Sequence, residues 1–184
     1  KHRIILDQLQ KLDANTMEIE DCCALPMPMY SPAVCIFRDR LFAIKTFVYS
    51  YHFELNFWSK LTNVQLPKHV EFNNALATDD HIYLSSKNSY ELYRFNPDEH
   101  KEGLDDESEG IQLELVGKFA SEIQNCCILN GVIYSFSSDQ FDFRSCIETY
   151  DIATNKFEIV WESNSDEYDF LPHFSVGCFV MPKY

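Results

Sequence analysis

LFAI at residues 41–44, IYLS at residues 82–85 and IYSF at residues 133–136 are three copies of one strand-like phrase. The copies begin at Leu41, Ile82 and Ile133, and the second interval is the longer one. A second marker keeps the same register, because Leu25-Pro26 precedes the first copy by the same interval as Leu66-Pro67 precedes the second. A repeat period of roughly 40–50 residues is typical of β-propellers and solenoids, whose units bury their apolar faces against one another.

Short apolar segments separated by turn residues surround each copy of the phrase. Asn130-Gly131, between two apolar runs, is a typical two-residue hairpin turn. An N-terminal hairpin of residues 3–9 with 16–22 is also predicted, and no stretch has a helical period. The sequence therefore predicts an all-β fold of four-stranded antiparallel blades in one domain over residues 1–184. We expect three to four blades: complete ones beginning at Ala33 and Asn74, with partial blades at each end.

One segment, residues 96–110, interrupts this regular pattern. It reads NPDEHKEGLDDESEG and carries seven acidic residues against one lysine. Such a segment has too little apolar surface to pack, so we predict an exposed, flexible loop within the domain. A docking site for a basic partner is the alternative interpretation.

The chain has 184 residues, a net charge of −14 and 46% hydrophobic residues, enough for a packed core. Binding to nucleic acid requires a basic stripe, and anionic membranes attract basic clusters. The sequence contains neither, so we expect no nucleic acid and no membrane as partner. A basic peptide or protein patch is the partner that this charge favours.

Sequence motifs of catalysis are absent. There is no glycine-rich phosphate loop, nucleophile elbow or zinc-protease motif, and the six histidines are dispersed. Cys22-Cys23 and Cys126-Cys127 are vicinal pairs whose side chains point to opposite faces of a strand, and no cysteine spacing matches a zinc site. We predict a non-enzymatic protein without cofactor or metal; a propeller enzyme with a central metal is the weaker alternative.

The seven cysteines are predicted to be free thiols, with a redox-sensing thiol as the alternative. Free thiols are typical of a reducing compartment. The expected location is therefore the cytoplasm, with the nucleus as the alternative.

The segment ETYDIATNKF at residues 148–157 resembles the Kelch repeat, which has a Tyr-Asp turn, a Thr-Asn and a Trp six residues after the Asp. The matching residues are Tyr150, Asp151, Thr154 and Asn155, and Phe157 stands in the place of the Trp. A Kelch repeat also carries two consecutive glycines. Their positions are filled here by Lys45-Thr46, Ser86-Lys87 and Ser137-Ser138.

Degenerate repeats of this kind are similar to those in the C-terminal half of BTB-Kelch proteins. The resemblance implies a Kelch-type β-propeller, part of a six-bladed ring, with residues 175–181 as a closing strand. It also implies a substrate-recognition module of a cullin-RING ubiquitin ligase, which the family contacts through BTB and BACK domains that this sequence lacks. An actin-associated Kelch scaffold is the alternative function.

In Kelch propellers, the loops between the second and third strands and those between successive blades form the recognition face. Aromatic residues and arginine in such loops are common interface hot spots. Mapped onto this sequence, the resemblance implies contacts with a protein or peptide substrate at Tyr30, Phe47, Tyr49, Lys87, His69, Phe141, Phe143 and Arg144. The alternative is that these aromatic side chains pack inward against neighbouring blades.

Overall fold

The computed structural model describes residues 7–98, 110–138 and 145–163, and every regular element in these ranges is a β-strand. The strands, in chain order, are β1 (Gln10–Leu12), β2 (Ile19–Asp21), β3 (Ala33–Phe37), β4 (Arg40–Ile44), β5 (Val48–His52), β6 (Phe57–Leu61), β7 (Val64–Gln65), β8 (Phe72–Ala77), β9 (Ile82–Ser86), β10 (Glu91–Phe95), β11 (Ile111–Gln112), β12 (Glu114–Lys118), β13 (Ile123–Leu129), β14 (Val132–Ser138), β15 (Ser145–Asp151) and β16 (Lys156–Glu162). Across this part of the chain, no helix could span a membrane.

Twelve of these strands form three four-stranded antiparallel sheets, which we name blades 1, 2 and 3. Their strand orders are β3-β4-β5-β6, β8-β9-β10-β12 and β13-β14-β15-β16. The first strands of the three blades are neighbours, with β8 lying between β3 and β13. The prediction of an all-β fold with four-stranded antiparallel blades is confirmed, and the arrangement is that of a β-propeller. The Kelch type and the six-bladed ring stay predictions.

The recurring phrase forms the second strand of each blade, namely β4, β9 and β14. The expectation of only two complete blades was wrong, because β13 to β16 complete a third sheet. β5 and β6 complete blade 1, as expected of a blade that begins at Ala33. The fourth strands lie at the sheet edges and are largely exposed, so their sequences carry little apolar periodicity.

The blades are held together by hydrophobic cores between their facing sheets. The core between blades 1 and 2 includes Phe37, Phe42, Ile44, Phe72, Ile82 and Leu84. The core between blades 2 and 3 includes Tyr83, Leu92, Phe119, Ile123, Ile133 and Tyr150. Each blade thus depends on its neighbour for burial, as expected of a repeat that cannot bury its own face.

The turns between the third and fourth strands of blades 1 and 3 share one hydrogen-bonded arrangement. The Tyr51 hydroxyl donates to Asn56 Oδ1 over 2.8 Å, and the Tyr150 hydroxyl donates to Asn155 Oδ1 over the same distance. Both asparagines adopt the left-handed conformation, with φ of 49° and 56°. Asparagine tolerates this conformation better than most residues, which explains its place in both turns.

An aromatic residue two positions after each of these asparagines packs on the same tyrosine. The ring centroid of Trp58 lies 5.2 Å from that of Tyr51, and Phe157 lies 4.7 Å from Tyr150. Phe157 also fills the space beside Gly117 of blade 2, where an added Cβ would lie 2.5 Å from its ring. Phe157 therefore occupies the position that the resemblance assigned to a Trp and contacts the preceding blade.

The N-terminal hairpin consists of β1 and β2, joined around a turn at Asp13. The hairpin was predicted, but β1 begins at Gln10, after the predicted strand of residues 3–9, whose first four residues lie outside the described residues; β2 covers only Ile19–Asp21 of the predicted 16–22. The amide of Leu25 donates to the Asp7 carbonyl, just as the amide of Phe119 donates to the Tyr90 carbonyl between blades 2 and 3. The hairpin therefore bonds to the segment that enters blade 1. The outer strands of blade 2 bond to the segment that enters blade 3 in the same way.

The acidic segment is tied to the sheets at both of its described ends, while residues 99–109 lie outside the described residues. At one end, Asp98 forms ion pairs with Arg38 and Arg40 of blade 1. At the other end, β11 pairs in parallel with β7, which follows blade 1. The predicted flexibility of this segment stays a prediction.

Six cysteines lie in the described ranges, and none of these six is in a disulfide bond. Cys23 is exposed, whereas Cys126 and Cys146 are buried, and burial raises the pKa of the Cys35 thiol to about 12. Because the thiolate is the reactive form, iodoacetamide at pH 8 should label Cys23 first and reach Cys35, Cys126 and Cys146 only after unfolding. Mass spectrometry of a time course checks this order, with the urea-denatured chain as control. Labelling of Cys35 as fast as Cys23 would contradict the fold at blade 1.

Candidate interaction rim

The described blades present two sets of loops at their opposite ends. We name as the upper rim the end formed by residues 29–32, 45–47, 67–71, 87–90 and 119–122. These are the segments that enter each blade and, in blades 1 and 2, the turn between its second and third strands. Cα pairing places them together, since Ala33 at the start of β3 pairs with Ile44 at the end of β4, and Phe72 pairs with Ser86. The lower rim is formed by residues 38–39, 53–56, 78–81, 96–98, 130–131 and 152–155.

Contacts between blades keep the two rims continuous from blade to blade. At the upper rim, Asn73 Nδ2 of blade 2 donates to the Ile123 carbonyl of blade 3 over 2.9 Å. At the lower rim, Arg38 Nη1 of blade 1 lies 2.7 Å from Asp98 Oδ2 of blade 2. Loops of neighbouring blades therefore combine into one surface at each end.

Four of the predicted site residues come together on the upper rim. Tyr30 is 52% exposed and Phe47 is 36% exposed, so both present a substantial aromatic surface to solvent. His69 and Lys87 are exposed in the entry segment and the turn of blade 2. These side chains come from four separate segments of the sequence, and the shared topology of blades 1 and 2 brings them to one end.

The remaining predicted residues have other placements. Tyr49 is only 6% exposed and packs with Leu25, Met29 and Trp58, so the expectation of an exposed contact there is corrected. Its polar neighbours in sequence suggested a loop, but it lies inside β5 and faces the N-terminal segment. Tyr49 also supports the rim, since its ring meets that of Phe47 edge-on at 6.5 Å. Phe141, Phe143 and Arg144 lie outside the described residues.

The sequence did not identify two lysines at the ends of the fourth strands. Lys60 Nζ lies 3.6 Å from the ring centroid of Phe47, and Lys118 Nζ lies 5.6 Å from that of Tyr90. In both blades, a fourth-strand lysine thus covers an aromatic residue at the turn between the second and third strands. Such cation–π contacts are worth about 0.5–1 kcal/mol at exposed sites. The signal that could have revealed this pair is that the fourth strand ends beside the turn between the second and third strands.

Glu91 is the acidic residue embedded in the blade 2 part of the rim. Its Oε2 accepts hydrogen bonds from the Ser89 hydroxyl and the Tyr93 hydroxyl, and these bonds hold the pKa of its carboxyl below the usual range. Burial and the same carboxylate raise the pKa of Tyr93 to about 12. The Glu91 carboxylate is therefore bound by hydroxyl groups of its own blade.

A buried polar seam supports the segment that enters blade 3. The Glu148 carboxylate is 3% exposed and accepts the amides of Ala120 and Ser121, over 2.6 and 3.0 Å. Cys146 Sγ lies 2.7 Å from Ser137 Oγ and 3.3 Å from Ser121 Oγ. This seam fixes the position of the entry loop on the upper rim.

No three His, Cys, Asp or Glu side chains converge on a metal-sized site in the part of the chain that the structure describes. The rim instead offers aromatic faces, ammonium groups and backbone groups of turns. These groups suit contacts with another protein. The absence of a cofactor and of catalysis stays a prediction.

Comparisons with known proteins support the fold. No protein-family model matches the chain, and no curated protein sequence matches it. Among solved structures, it is similar to a chain in the crystal structure of a nidogen/laminin complex, with a TM-score of 0.58 and 10% sequence identity. That match covers 87% of this chain and 60% of the other, which is a β-propeller. At this identity the likeness shows the fold alone.

Proposed function

We propose that this chain is a protein-recognition propeller, in which the upper rim binds a protein or peptide substrate. The observation that carries this proposal is the group of exposed side chains that blades 1 and 2 bring to one end, with Tyr30 and Phe47 as aromatic anchors. Aromatic anchors surrounded by polar groups are typical of protein interfaces. The similar propeller was itself solved in a complex of nidogen with laminin.

We further propose that the propeller is the substrate-recognition part of a BTB-Kelch adaptor for a cullin-RING ubiquitin ligase. The support is the resemblance at residues 148–157 together with its structural counterpart, the Tyr-Asn turn that blades 1 and 3 share. In this proposal the chain has no enzymatic activity or cofactor. The cullin is contacted by other domains of the full-length protein, which acts in the cytoplasm, with the nucleus as the alternative.

Affinity purification of the full-length protein from cells, with variants at the two rims, tests both parts. The upper-rim variant combines Tyr30→Ala with Phe47→Ala. Its matched control combines Phe53→Ala with Phe57→Ala, which are 43% and 41% exposed at the lower end of blade 1. We expect the upper-rim variant to lose bound target proteins several-fold while retaining the cullin, because target and ligase contact different surfaces. The control should retain both.

Two results would overturn parts of the proposal. Equal loss of targets in both variants would mean that the upper rim is not the recognition surface. Absence of a cullin and a RING subunit from the purified complex would reject the adaptor role. Co-sedimentation of the same protein with actin filaments would then favour the scaffold alternative.

A further inference from the structure

Charge is distributed unevenly between the two rims. Seven lysines lie in the described ranges, and five of them stand at the upper ends of blades 1 and 2: Lys45, Lys60, Lys68, Lys87 and Lys118. We name these five residues the lysine rim. Three described carboxylates, those of Glu71, Glu91 and Glu122, lie on the same part of the upper rim, and that of Glu91 accepts hydrogen bonds within blade 2. The lysine rim is therefore locally positive in a chain whose net charge is −14.

The arginines show the opposite placement. The three described arginines, Arg38, Arg40 and Arg94, lie at the lower end of blades 1 and 2, and each is paired with a carboxylate of Asp98 or Glu114. Other carboxylates at that end belong to Asp39, Glu54, Asp79 and Asp80. The lower rim is thus acidic, and its positive charges are neutralised within the protein.

Among the described residues, the lysine rim has no such neutralisation. Every ion pair among the described residues involves an arginine, so none of the five ammonium groups is in direct contact with a described carboxylate. Lys60 and Lys118 instead lie over aromatic rings, and Lys118 acts on Glu91 only at longer range. In the described part of the chain, these lysines without ion pairs stand next to exposed or half-buried aromatic rings, so the surface combines positive charge with apolar contact area.

The distance between the rims allows the lysine rim to act independently of the net charge. A five-residue strand spans about 16 Å, whereas the Debye length at physiological salt is about 8 Å. The acidic lower rim is therefore largely screened at the upper rim. Among the described groups, a partner in contact with this part of the upper rim meets more lysines than carboxylates.

We propose that the lysine rim binds an extended acidic segment of a protein partner. This inference rests on the proposed function, and it reverses the partner that the net charge favours. Acidic side chains pair with the lysines, and the exposed parts of the Tyr30 and Phe47 side chains contact apolar side chains of the same segment. A peptide fits this surface better than a nucleic acid, because the rest of the chain repels a long polyanion.

Fluorescence polarisation with the 184-residue chain tests this proposal. The probes are a fluorescein-labelled dodecapeptide rich in glutamate, its glutamine analogue, and a single-stranded oligonucleotide of equal charge. We expect the glutamate peptide to bind at least about tenfold more tightly than the glutamine peptide, with affinity falling as salt increases. Equal binding of the two peptides would reject the proposal, and tighter binding of the oligonucleotide would assign the rim to nucleic acid.

Charge-reversal variants locate the binding surface. Lys68→Glu with Lys87→Glu should weaken binding of the glutamate peptide at least about tenfold, because both lysines are exposed at the upper rim. The matched control, Lys11→Glu with Lys156→Glu, changes the net charge equally at sites away from this rim and should change affinity less than about twofold. Equal weakening in both would reject the lysine rim. The glutamate peptide could fail to bind although the Tyr30→Ala/Phe47→Ala variant loses its targets in the affinity purification. In that case the acidic partner is wrong and the proposed function stands.

Discussion

Replacement of Phe42 by alanine is expected to lower the free energy of unfolding by about 3–5 kcal/mol. Phe42 is fully buried on β4 and packs edge-on against Phe37, with ring centroids 6.2 Å apart. It lies in the core that blades 1 and 2 share, so the cavity left by the truncation weakens both blades. Total stabilities are usually about 5–15 kcal/mol, and this loss is therefore a large fraction of the total.

Urea denaturation followed by circular dichroism measures this effect, and thermal unfolding should show a fall in Tm of roughly 6–20 °C. The matched control is Phe57→Ala in the same blade. Phe57 is 41% exposed and stacks only on the His52 ring, so its loss should cost about 1 kcal/mol or less. Similar losses in the two variants would show that the interface between blades 1 and 2 is not the main core.

The second strand of each blade was the part of the fold that the sequence predicted best. In blade 2 every residue of β9 is buried, because both faces of a central propeller strand pack against neighbouring blades. Its sequence is therefore a short, nearly continuous apolar run between turns, which is easily recognised. The first strands β3 and β8 were likewise placed to within a few residues of their observed starts.

The fourth strands are the part of each blade that the sequence marks least clearly, for a physical reason. β16 is exposed at most of its positions, and β6 alternates only weakly between exposed and partly buried positions. Strands at an outer edge have little apolar patterning, so the local sequence does not show which hairpin they extend. Pairing with the third strand decides this, and that pairing is a tertiary property.

The candidate site was predicted in part for related reasons. The loops that the Kelch resemblance implied contain Tyr30, Phe47, His69 and Lys87, and the fold brings these four residues to one rim; their contact with a partner stays a prediction. Tyr49 is buried by Leu25 and Met29, which come from the segment before blade 1, and no local pattern indicates such a contact. Net charge likewise concealed the lysine rim, because a sum over the chain contains no information about where the charges meet.

Replacement of Glu148 by alanine should lower the free energy of unfolding by about 3 kcal/mol, the second-largest expected effect. The loss should be concentrated in the loop that enters blade 3. The buried Glu148 carboxylate accepts the Ala120 and Ser121 amides, and its removal leaves two amide donors without these acceptors. A hydrogen bond to a charged group contributes about 1.5–3 kcal/mol, so the loss of two such bonds accounts for an effect of this size. Glu148→Gln should fall between the alanine variant and the unaltered protein, since a neutral amide oxygen is the weaker acceptor.

Hydrogen exchange distinguishes this role from a general loss of stability. In Glu148→Ala, the Ala120 and Ser121 amides should exchange at least about tenfold faster, because the local opening that exposes them no longer breaks two hydrogen bonds. The exchange rates of the β8 and β9 amides in blade 2 should change only as far as the global stability changes. Glu158→Ala, an exposed residue on β16 of the same blade, is the matched control and should change neither. If amides 120 and 121 behave alike in both variants, Glu148 does not hold the entry loop of blade 3, and this part of the upper rim must be positioned by the Phe119 contact with Phe157 instead.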